Sequence, residues 1–420
     1  MEINELLKGV NCSCGRHHSC AIDYVSVEVG AISSLSELTG EYERILLVAD
    51  ENTYGAAGSL VEAALPAEKL SRVIFSGRAV LIPDEAAIDR VTAAMEGVAL
   101  IIGIGSGVIQ DLCKYVSLKS SVPYMVVATA PSMDGYASTG AAMILGGMKV
   151  TVPAGVPKAI LADPQVLKDA PMEMIRAGYG DIVGKYSALN DWKLSREVNG
   201  EYFCQEIYDL TFDMVQKTLS LAEGLVQRDT QSVKVLMEAL VIVGIAMSFA
   251  GSSRPASGSE HHLSHFFEIT GIVHGEDYFT HGIDVAYSTV ITAALREKLL
   301  ESPWPNVQYR PDREDYQTRL QRIYGPVAEG CIALQDKVGL YEKDMVSVYK
   351  AKEQALRAIL AEMPAAEEIT QMLEAVGLDM AEFYRLYSPE KLADAVAYAK
   401  ELKDRYTVLW MYYDLFGGEA

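Results

Sequence analysis

Basic residues are in short supply in this chain. Of its 420 residues, 36 are Lys or Arg against 57 Asp or Glu, a formal net charge of −21. That balance argues against nucleic acid or an anionic membrane surface as the main partner, because both are bound through clustered cations. An anionic substrate stays compatible only through locally placed donors. Cysteine is scarce too: six in the whole chain do not describe a secreted disulfide scaffold. Long hydrophobic runs are missing. Val98–Ile109 is broken by glycines, and Ala239–Gly251 is, like it, too short to span a bilayer. The N-terminal MEINELLKGV is acidic and polar, not a signal peptide, so the cytoplasm is the expected compartment. What remains is ordinary globular composition, half hydrophobic and 22% charged, in a chain long enough for two domains of about 100–200 residues.

Histidine is rare and unevenly spread. Two of the seven stand at 17–18, and the other five fall between 261 and 281. Three of the cysteines also cluster, in Cys12-Ser-Cys14-Gly-Arg-His17-His18-Ser-Cys20. A zinc knuckle is one reading of that segment, although the paired CxxC clusters of common structural sites are lacking. The other is a polar lead-in to a strand at Val25–Val29.

From Val25 to about Asp163 short β-rich runs alternate with helical patterns. Strands are expected at Ile45–Ala49, Val73–Phe75, Val98–Ile102 and Tyr124–Ala128, and helices at Ala56–Ala64, after Pro83-Asp84, and from the glycine cluster to about Leu118. This rhythm predicts an α/β domain with a mostly parallel, doubly wound sheet. Ala141–Leu145 and Met148–Val152, joined by Gly146-Gly147, read as a β-hairpin on the edge of that sheet. Beyond Asp163 helical patterns dominate, among them 204–222, 232–250, 260–269 and 285–299. The expected division is therefore an α/β domain over 1–168 and an all-α domain over 169–420.

Two segments carry chemistry. Gly103-Ile-Gly105-Ser-Gly107 lies between a strand and a helix, where backbone N–H groups can face a phosphate. It is not the dinucleotide fingerprint G-x-G-x-x-G, and a tight strand–helix turn explains it about as well; Asp111 and Lys114 on the following helix add weight to the ligand reading. In the second segment, Ser257-Gly-Ser-Glu260 predicts a capping box with the helix starting just after Ser257. His261 and His265 are then one turn apart on one face. His281 follows at the start of another helical pattern. An open metal site needs a third ligand, and Asp181, among the small residues of Ala177-Gly-Tyr-Gly-Asp181, is the candidate. Two histidines and a carboxylate on a metal, with the third histidine beside it, account for the cluster economically, since packed imidazoles without one are unsatisfied or mutually repelling. His262 and His274 read as helix-filling residues.

Taken together, Gly105-Ser-Gly-Val-Ile-Gln-Asp111-x-x-Lys114, Thr129-Ala-Pro-Ser132-Met-Asp134-Gly-Tyr-Ala-Ser138, Gly180-Asp181, Ser259-Glu-His261-x-x-x-His265 and Thr280-His281-Gly282 resemble, in this order, the sn-glycerol-1-phosphate dehydrogenases. These belong to the glycerol dehydrogenase, iron-containing alcohol dehydrogenase and dehydroquinate synthase-like superfamily. Asp404-Arg-Tyr-Thr-Val-Leu409 is similar to the AraM-like branch, and the resemblance spans about residues 25–415. It departs from the family's usual glycine run at Gly105-Ser-Gly107, and Glu301–Arg313 looks like an exposed insertion.

The resemblance implies interconversion of dihydroxyacetone phosphate and sn-glycerol 1-phosphate. It implies NAD, with NADP as the alternative, and one divalent metal per chain, zinc ahead of nickel or iron. Gly105, Gly107, Val108, Ile109, Gln110, Asp111, Thr129, Ala130, Pro131, Ser132 and Ser138 would line the cofactor. Asp134, Asp181 and His265 would contact substrate, Asp181, His261 and His281 would hold the metal, and His265 and Asp181 would serve catalysis. Asp50 would accept a ribose hydroxyl and repel a 2′-phosphate, favouring NAD. Lys185 and Lys149 are candidate phosphate partners. A homodimer or larger homo-oligomer is expected, with no nucleic-acid or membrane partner. The rival readings are a glycerol or other polyol dehydrogenase, a dehydroquinate-synthase-like lyase, and a regulator that has lost catalysis.

Overall fold

The apolar runs of the first half become strands, and where each lies in the sheet decides its pattern. In the computed structural model, which describes residues 3–78, 81–146 and 148–418, the strands are β1 (Val10–Asn11), β2 (His17–His18), β3 (Tyr24–Val27), β4 (Ile45–Asp50), β5 (Leu70–Phe75), β6 (Leu100–Gly105), β7 (Tyr124–Ala128), β8 (Gly140–Leu145), β9 (Met148–Pro153) and β10 (Ala159–Ala162). Six of them form one sheet in the order β3-β10-β7-β6-β4-β5, every neighbouring pair parallel. Inner strands β6, β7 and β10 are buried at every residue, as a sheet covered on both faces requires, whereas edge strand β3 alternates. The parallel α/β half is as the sequence predicts. β10, only Ala-Ile-Leu-Ala, carries too short a pattern to be read beforehand.

Three expectations need correction. The β8–β9 hairpin forms, with Leu145 opposite Met148, but as a separate two-stranded sheet rather than on the edge of the large one. Its outer backbone groups are taken elsewhere: Lys114 Nζ donates to Gly140 O at 2.8 Å, and Ile144 N donates to Pro83 O at 3.0 Å. Gly147 and the side chain of Lys149 lie outside the described residues. The helix expected from Ala56 starts at Glu51, because Asp50 accepts from Asn52 N and Thr53 N while Thr53 Oγ1 accepts from Asp50 N. Lastly, the apolar run at 239–251 is part of a 21-residue helix, Thr230–Ala250, long and apolar enough by length and composition to cross a membrane. It is a core helix, with 78% of its most apolar window buried within the fold. The stretch 301–313 is mostly exposed, as expected, and is pinned by buried Trp304, whose Nε1 donates to Leu299 O at 2.8 Å.

The chain forms two compact units, Met1–Ile182 with Gln216–Ser253 and Val183–Val215 with Arg254–Ala420. The segment 216–253, helical though it is, thus groups with the sheet. Within the first unit, glycines let two helices approach the loop after β7. A Cβ on Gly178 would lie 1.8 Å from Pro131 O, and one on Gly244 would lie 2.8 Å from Asp134 O. Within the second unit, buried Asp191 is a hub. Its carboxylate accepts from Ser259 N at 2.6 Å and Val408 N at 2.8 Å and pairs with Arg296 at 2.8 Å, tying together the helices Lys185–Asn199, Ser259–His274, His281–Glu301 and Val408–Phe416.

Two substitutions test this packing. Asp191→Ala leaves the Arg296 guanidinium buried without its partner, so unfolding should become easier by about 3–5 kcal/mol, read as a shift in the denaturant midpoint. Gly178→Ala forces backbone apart, and a thermal melt should fall by an amount equivalent to at least about 1–3 kcal/mol, the usual cost of overpacking.

Candidate active site

In the first unit the glycine cluster divides by role. Gly103 and Gly105 lie inside β6 rather than after it, and the helix Gly107–Ser120 begins two residues on. A Cβ on Gly103 would stand 2.9 Å from Cys113 Sγ, and one on Gly105 would stand 2.7 Å from Ile109 Cβ. These two glycines serve helix-on-strand packing. Gly107 is different, since a Cβ there would come no nearer than 3.8 Å, to Met133. Ser106 at the N-cap gives no side-chain cap, so the first-turn N–H groups at Gly107, Val108 and Ile109 form the kind of helix start that receives an anion. Gln110 is buried and donates to Gly103 O and Gly105 O at 3.1 Å each, locking the strand to the helix. Its Oε1 accepts no hydrogen bond among the described residues.

Asp111 and Lys114, the charged pair on this helix, stand 3.6 Å apart. Lys114 is buried and donates to Gly135 O at 3.0 Å, Ser138 Oγ at 3.3 Å and Gly140 O at 2.8 Å. Burial pulls its pKa down, against the opposing pull of Asp111. It therefore fastens the loop after β7 to the helix. Thr129, Ala130 and Ser132 in that loop are buried, Tyr136 donates to Ala130 O at 2.6 Å, and the Ser138 hydroxyl donates to Gly135 O at 3.0 Å. The loop's next turn brings two expected site residues together: the backbone N–H of Asp134 donates to Asp181 Oδ2 at 2.9 Å. Asp181 is fully buried near the end of the helix Met172–Val183. Asp50 uses Oδ1 to cap the helix Glu51–Ala63, which leaves its other oxygen available to a further donor.

The histidine cluster lies in the second unit. The helix carrying it starts at Ser259, not after Ser257, and Gly258 at the N-cap offers no side chain. Space decides this, because a Cβ on Gly258 would meet Ala188 Cα and Asp191 Oδ2 at 2.7 Å each. Asp191 supplies the acceptor that a capping side chain would have given. Glu260 folds back instead, its Oε1 accepting from Gly258 N at 2.7 Å and lying 2.7 Å from His261 Nδ1. His261, His265 and His281 pack together, with ring centroids 5.1 Å apart for His261–His281, 5.3 Å for His265–His281 and 6.2 Å for His261–His265. Ser264 Oγ lies 3.3 Å from His281 Nδ1.

Burial, reinforced by the charges of Lys185 and neighbouring histidines, holds the His261 pKa well below its ordinary value. The neutral ring directs Nδ1–H at Glu260 and turns the Nε2 lone pair away from it, the usual posture of a metal-ligating imidazole. Burial, with Asp191 nearby, pushes Glu260 up to about 7. His274 is bonded to Ile323 O at 2.9 Å, and buried His262 has no hydrogen-bond partner among the described residues, so both stand outside the cluster.

Lys185, an expected phosphate partner, opens the helix Lys185–Asn199. It is fully buried and donates to Ala256 O at 3.0 Å. Cations that the sequence reading passed over flank the start of the histidine helix: Lys403 Nζ donates to Ser257 Oγ at 3.4 Å and Arg405 donates to Ser257 O at 2.9 Å. Glu268 was missed as well. Its carboxylate is 3.8 Å from His265 Nδ1, and donor atoms of His265, Glu268 and His281 fall within 4.8 Å of one another. The available signal was its position one turn after His265 on the same face.

Comparison with known proteins identifies the family and the fold. Residues 26–171 match the family model described as iron-containing alcohol dehydrogenase. The chain is 32% identical over 386 residues to glycerol-1-phosphate dehydrogenase [NAD(P)+] of Halalkalibacterium halodurans, covering 84% of this chain and 96% of that protein. It is 30% identical over 420 residues to the enzyme of the same name from Geobacillus stearothermophilus, with 96% of each covered. Among solved structures, a probable glycerol dehydrogenase from Sinorhizobium meliloti superposes with a TM-score of 0.61 at 16% identity, over 94% of this chain and 96% of that one, which shows the common fold. From the near-complete match to these relatives it follows that the chain belongs to the glycerol-1-phosphate dehydrogenase family.

Proposed function

We propose that the chain is a metal-dependent, NAD(P)-linked oxidoreductase that interconverts dihydroxyacetone phosphate and sn-glycerol 1-phosphate. The observation that carries this reading is the packed trio His261, His265 and His281, set on the segments that also carry the family resemblance. Asp181, His261 and His281 hold the ion in this proposal, and two imidazoles with one carboxylate suit zinc, nickel or iron. The donor set fits such an ion: Asp181 is fully buried, and Glu260 orients a neutral His261. Bound there, such an ion would supply Lewis acidity toward the substrate's C2 oxygen, and a nicotinamide cofactor would supply the hydride chemistry.

The protein's own groups do the rest. His265, with the Glu268 carboxylate 3.8 Å from its Nδ1, takes up the C2 hydroxyl proton on oxidation and returns it on reduction. Asp134 orients a substrate hydroxyl. Lys403 and Arg405 supply positive charge for the substrate phosphate, which favours a phosphorylated triose over a free polyol. The uncapped first turn at Gly107–Ile109 would receive the cofactor pyrophosphate, the loop Thr129–Ser132 with Ser138 would line the cofactor, and Asp50 would accept a ribose hydroxyl. That carboxylate makes NAD the preferred form.

NADH-linked reduction of dihydroxyacetone phosphate, with chiral analysis of the product, tests the activity. Only sn-glycerol 1-phosphate should form, and equal or faster turnover with glycerol would transfer the assignment to a polyol dehydrogenase. His261→Ala should lose one equivalent of bound metal and more than about 100-fold of the rate, beyond the 10–100-fold typical of second-shell losses. Retention of both properties would remove His261 from the ligand set. Asp50→Ser keeps a helix cap while deleting the charge. The NADH-over-NADPH preference in kcat/KM should shrink by roughly tenfold, the scale of one charge-assisted hydrogen bond, and an unchanged ratio would show that Asp50 does not read the ribose.

A further inference from the structure

The N-terminal cysteines find no role in this activity. Residues 10–18 form a hairpin of two-residue strands, with Val10 opposite His18 and Asn11 opposite His17. Cys12 N donates to Arg16 O at 3.1 Å and Gly15 N to Cys12 O at 3.0 Å, with Gly15 at φ +82° giving the left-handed corner. Two residue pairs are too few to hold such a ribbon on their own. The turn gathers Cys12, Cys14 and His18 so that their donor atoms lie within 4.8 Å of one another.

Two further contacts have the form of a metal-binding knuckle. Cys14 N points at Cys12 Sγ at 3.4 Å, an N–H···S contact that favours thiolate over thiol. On the buried His18, Nδ1 is 2.9 Å from Phe249 O. A carbonyl only accepts, so Nδ1 carries the proton and Nε2 presents a lone pair, 3.4 Å from Cys14 Sγ. The ring is also held by Phe249, stacked at 5.7 Å. A ligating histidine whose second nitrogen donates to a backbone carbonyl is the standard outer support of a metal site. Cys20, third in the sequence cluster, is not part of the group; its buried thiol is pushed up in pKa by desolvation and is satisfied by Ile22 and Ser248. None of the six cysteines forms a disulfide.

We infer that Cys12, Cys14 and His18 form a second metal site, separate from the histidine cluster, that takes a thiophilic divalent cation of the zinc class. Two thiolates and one imidazole provide three of four tetrahedral positions, leaving one for a further donor. Loading releases two thiol protons as two metal–sulfur bonds form, while His18 binds as the neutral ring. The site's role is structural. It closes the 10–18 hairpin and, through His18 and Phe249, fastens it beside the C-terminal end of the helix Thr230–Ala250.

Cobalt(II) substitution of the full-length protein tests this, because only thiolate ligands produce a near-ultraviolet charge-transfer band and the proposed catalytic ligands are nitrogen and oxygen. The band should appear in the wild type and in His261→Ala. It should lose at least half its intensity in the double variant Cys12→Ser/Cys14→Ser with native circular dichroism. No band in the wild type, or an undiminished band in the double variant, overturns the site. Should the double variant fail to fold, zinc analysis of His261→Ala decides: one tightly held equivalent per chain is expected, and none overturns the proposal.

Discussion

Everything around the histidine cluster hangs on one buried carboxylate. Asp191 receives the first N–H of the helix carrying His261 and His265, and it pairs with Arg296, which lies on the helix that opens with His281. A desolvated charge is tolerated only where its lone pairs are filled, and here two helix N-termini and a guanidinium fill them. The relative placement of the three imidazoles is thereby fixed by a group that touches none of the proposed chemistry. Arg296 is anchored in turn, with Nε donating to Asn190 Oδ1 at 2.8 Å, so the brace returns to the helix that bears Asp191.

The first unit achieves comparable rigidity by removing atoms rather than adding charges. Gly103, Gly105, Gly178 and Gly244 each sit where a methyl group would strike a neighbour. Gly103 and Gly105 let the helix Gly107–Ser120 lie close on β6, and Gly178 and Gly244 let two further helices approach the loop after β7. Lys114 then fastens that loop by three hydrogen bonds from a single ammonium. Glycines that look like phosphate-binding residues thus prove in part to be packing residues. Gly107, with open space beside it, is the one whose missing side chain leaves room for a ligand.

How much of this could be read beforehand depends on range. The parallel sheet was legible because buried strands such as Ile45–Ala49 and Tyr124–Ala128 are unbroken apolar runs. The i, i+4 spacing of His261 and His265 was legible because helical geometry is local. What local pattern cannot carry is long-range partnership. The start of the histidine helix was misplaced because its cap acceptor, Asp191, lies 68 residues earlier. The bond from the Lys185 ammonium to Ala256 O, 71 residues away, is likewise absent from the residues around it. The hairpin was placed on the sheet edge because its tie to Lys114 is invisible in its own sequence. Lys403 and Arg405 were passed over for the same reason, far from the residues they flank.

The interleaving of the two units along the chain bears on the order in which a growing polypeptide can acquire structure. The first unit is complete once residue 253 has been made, so the sheet is already available to cover the very apolar helix Thr230–Ala250 as it emerges. The second unit is less fortunate. Its opening helix, Lys185–Asn199, must wait for Ser259, Arg296 and finally Val408 before the Asp191 carboxylate finds its partners. The full set of partners for this carboxylate is therefore assembled only after more than two hundred further residues have been made, and that interval, rather than the sheet, is where misassembly has its opening.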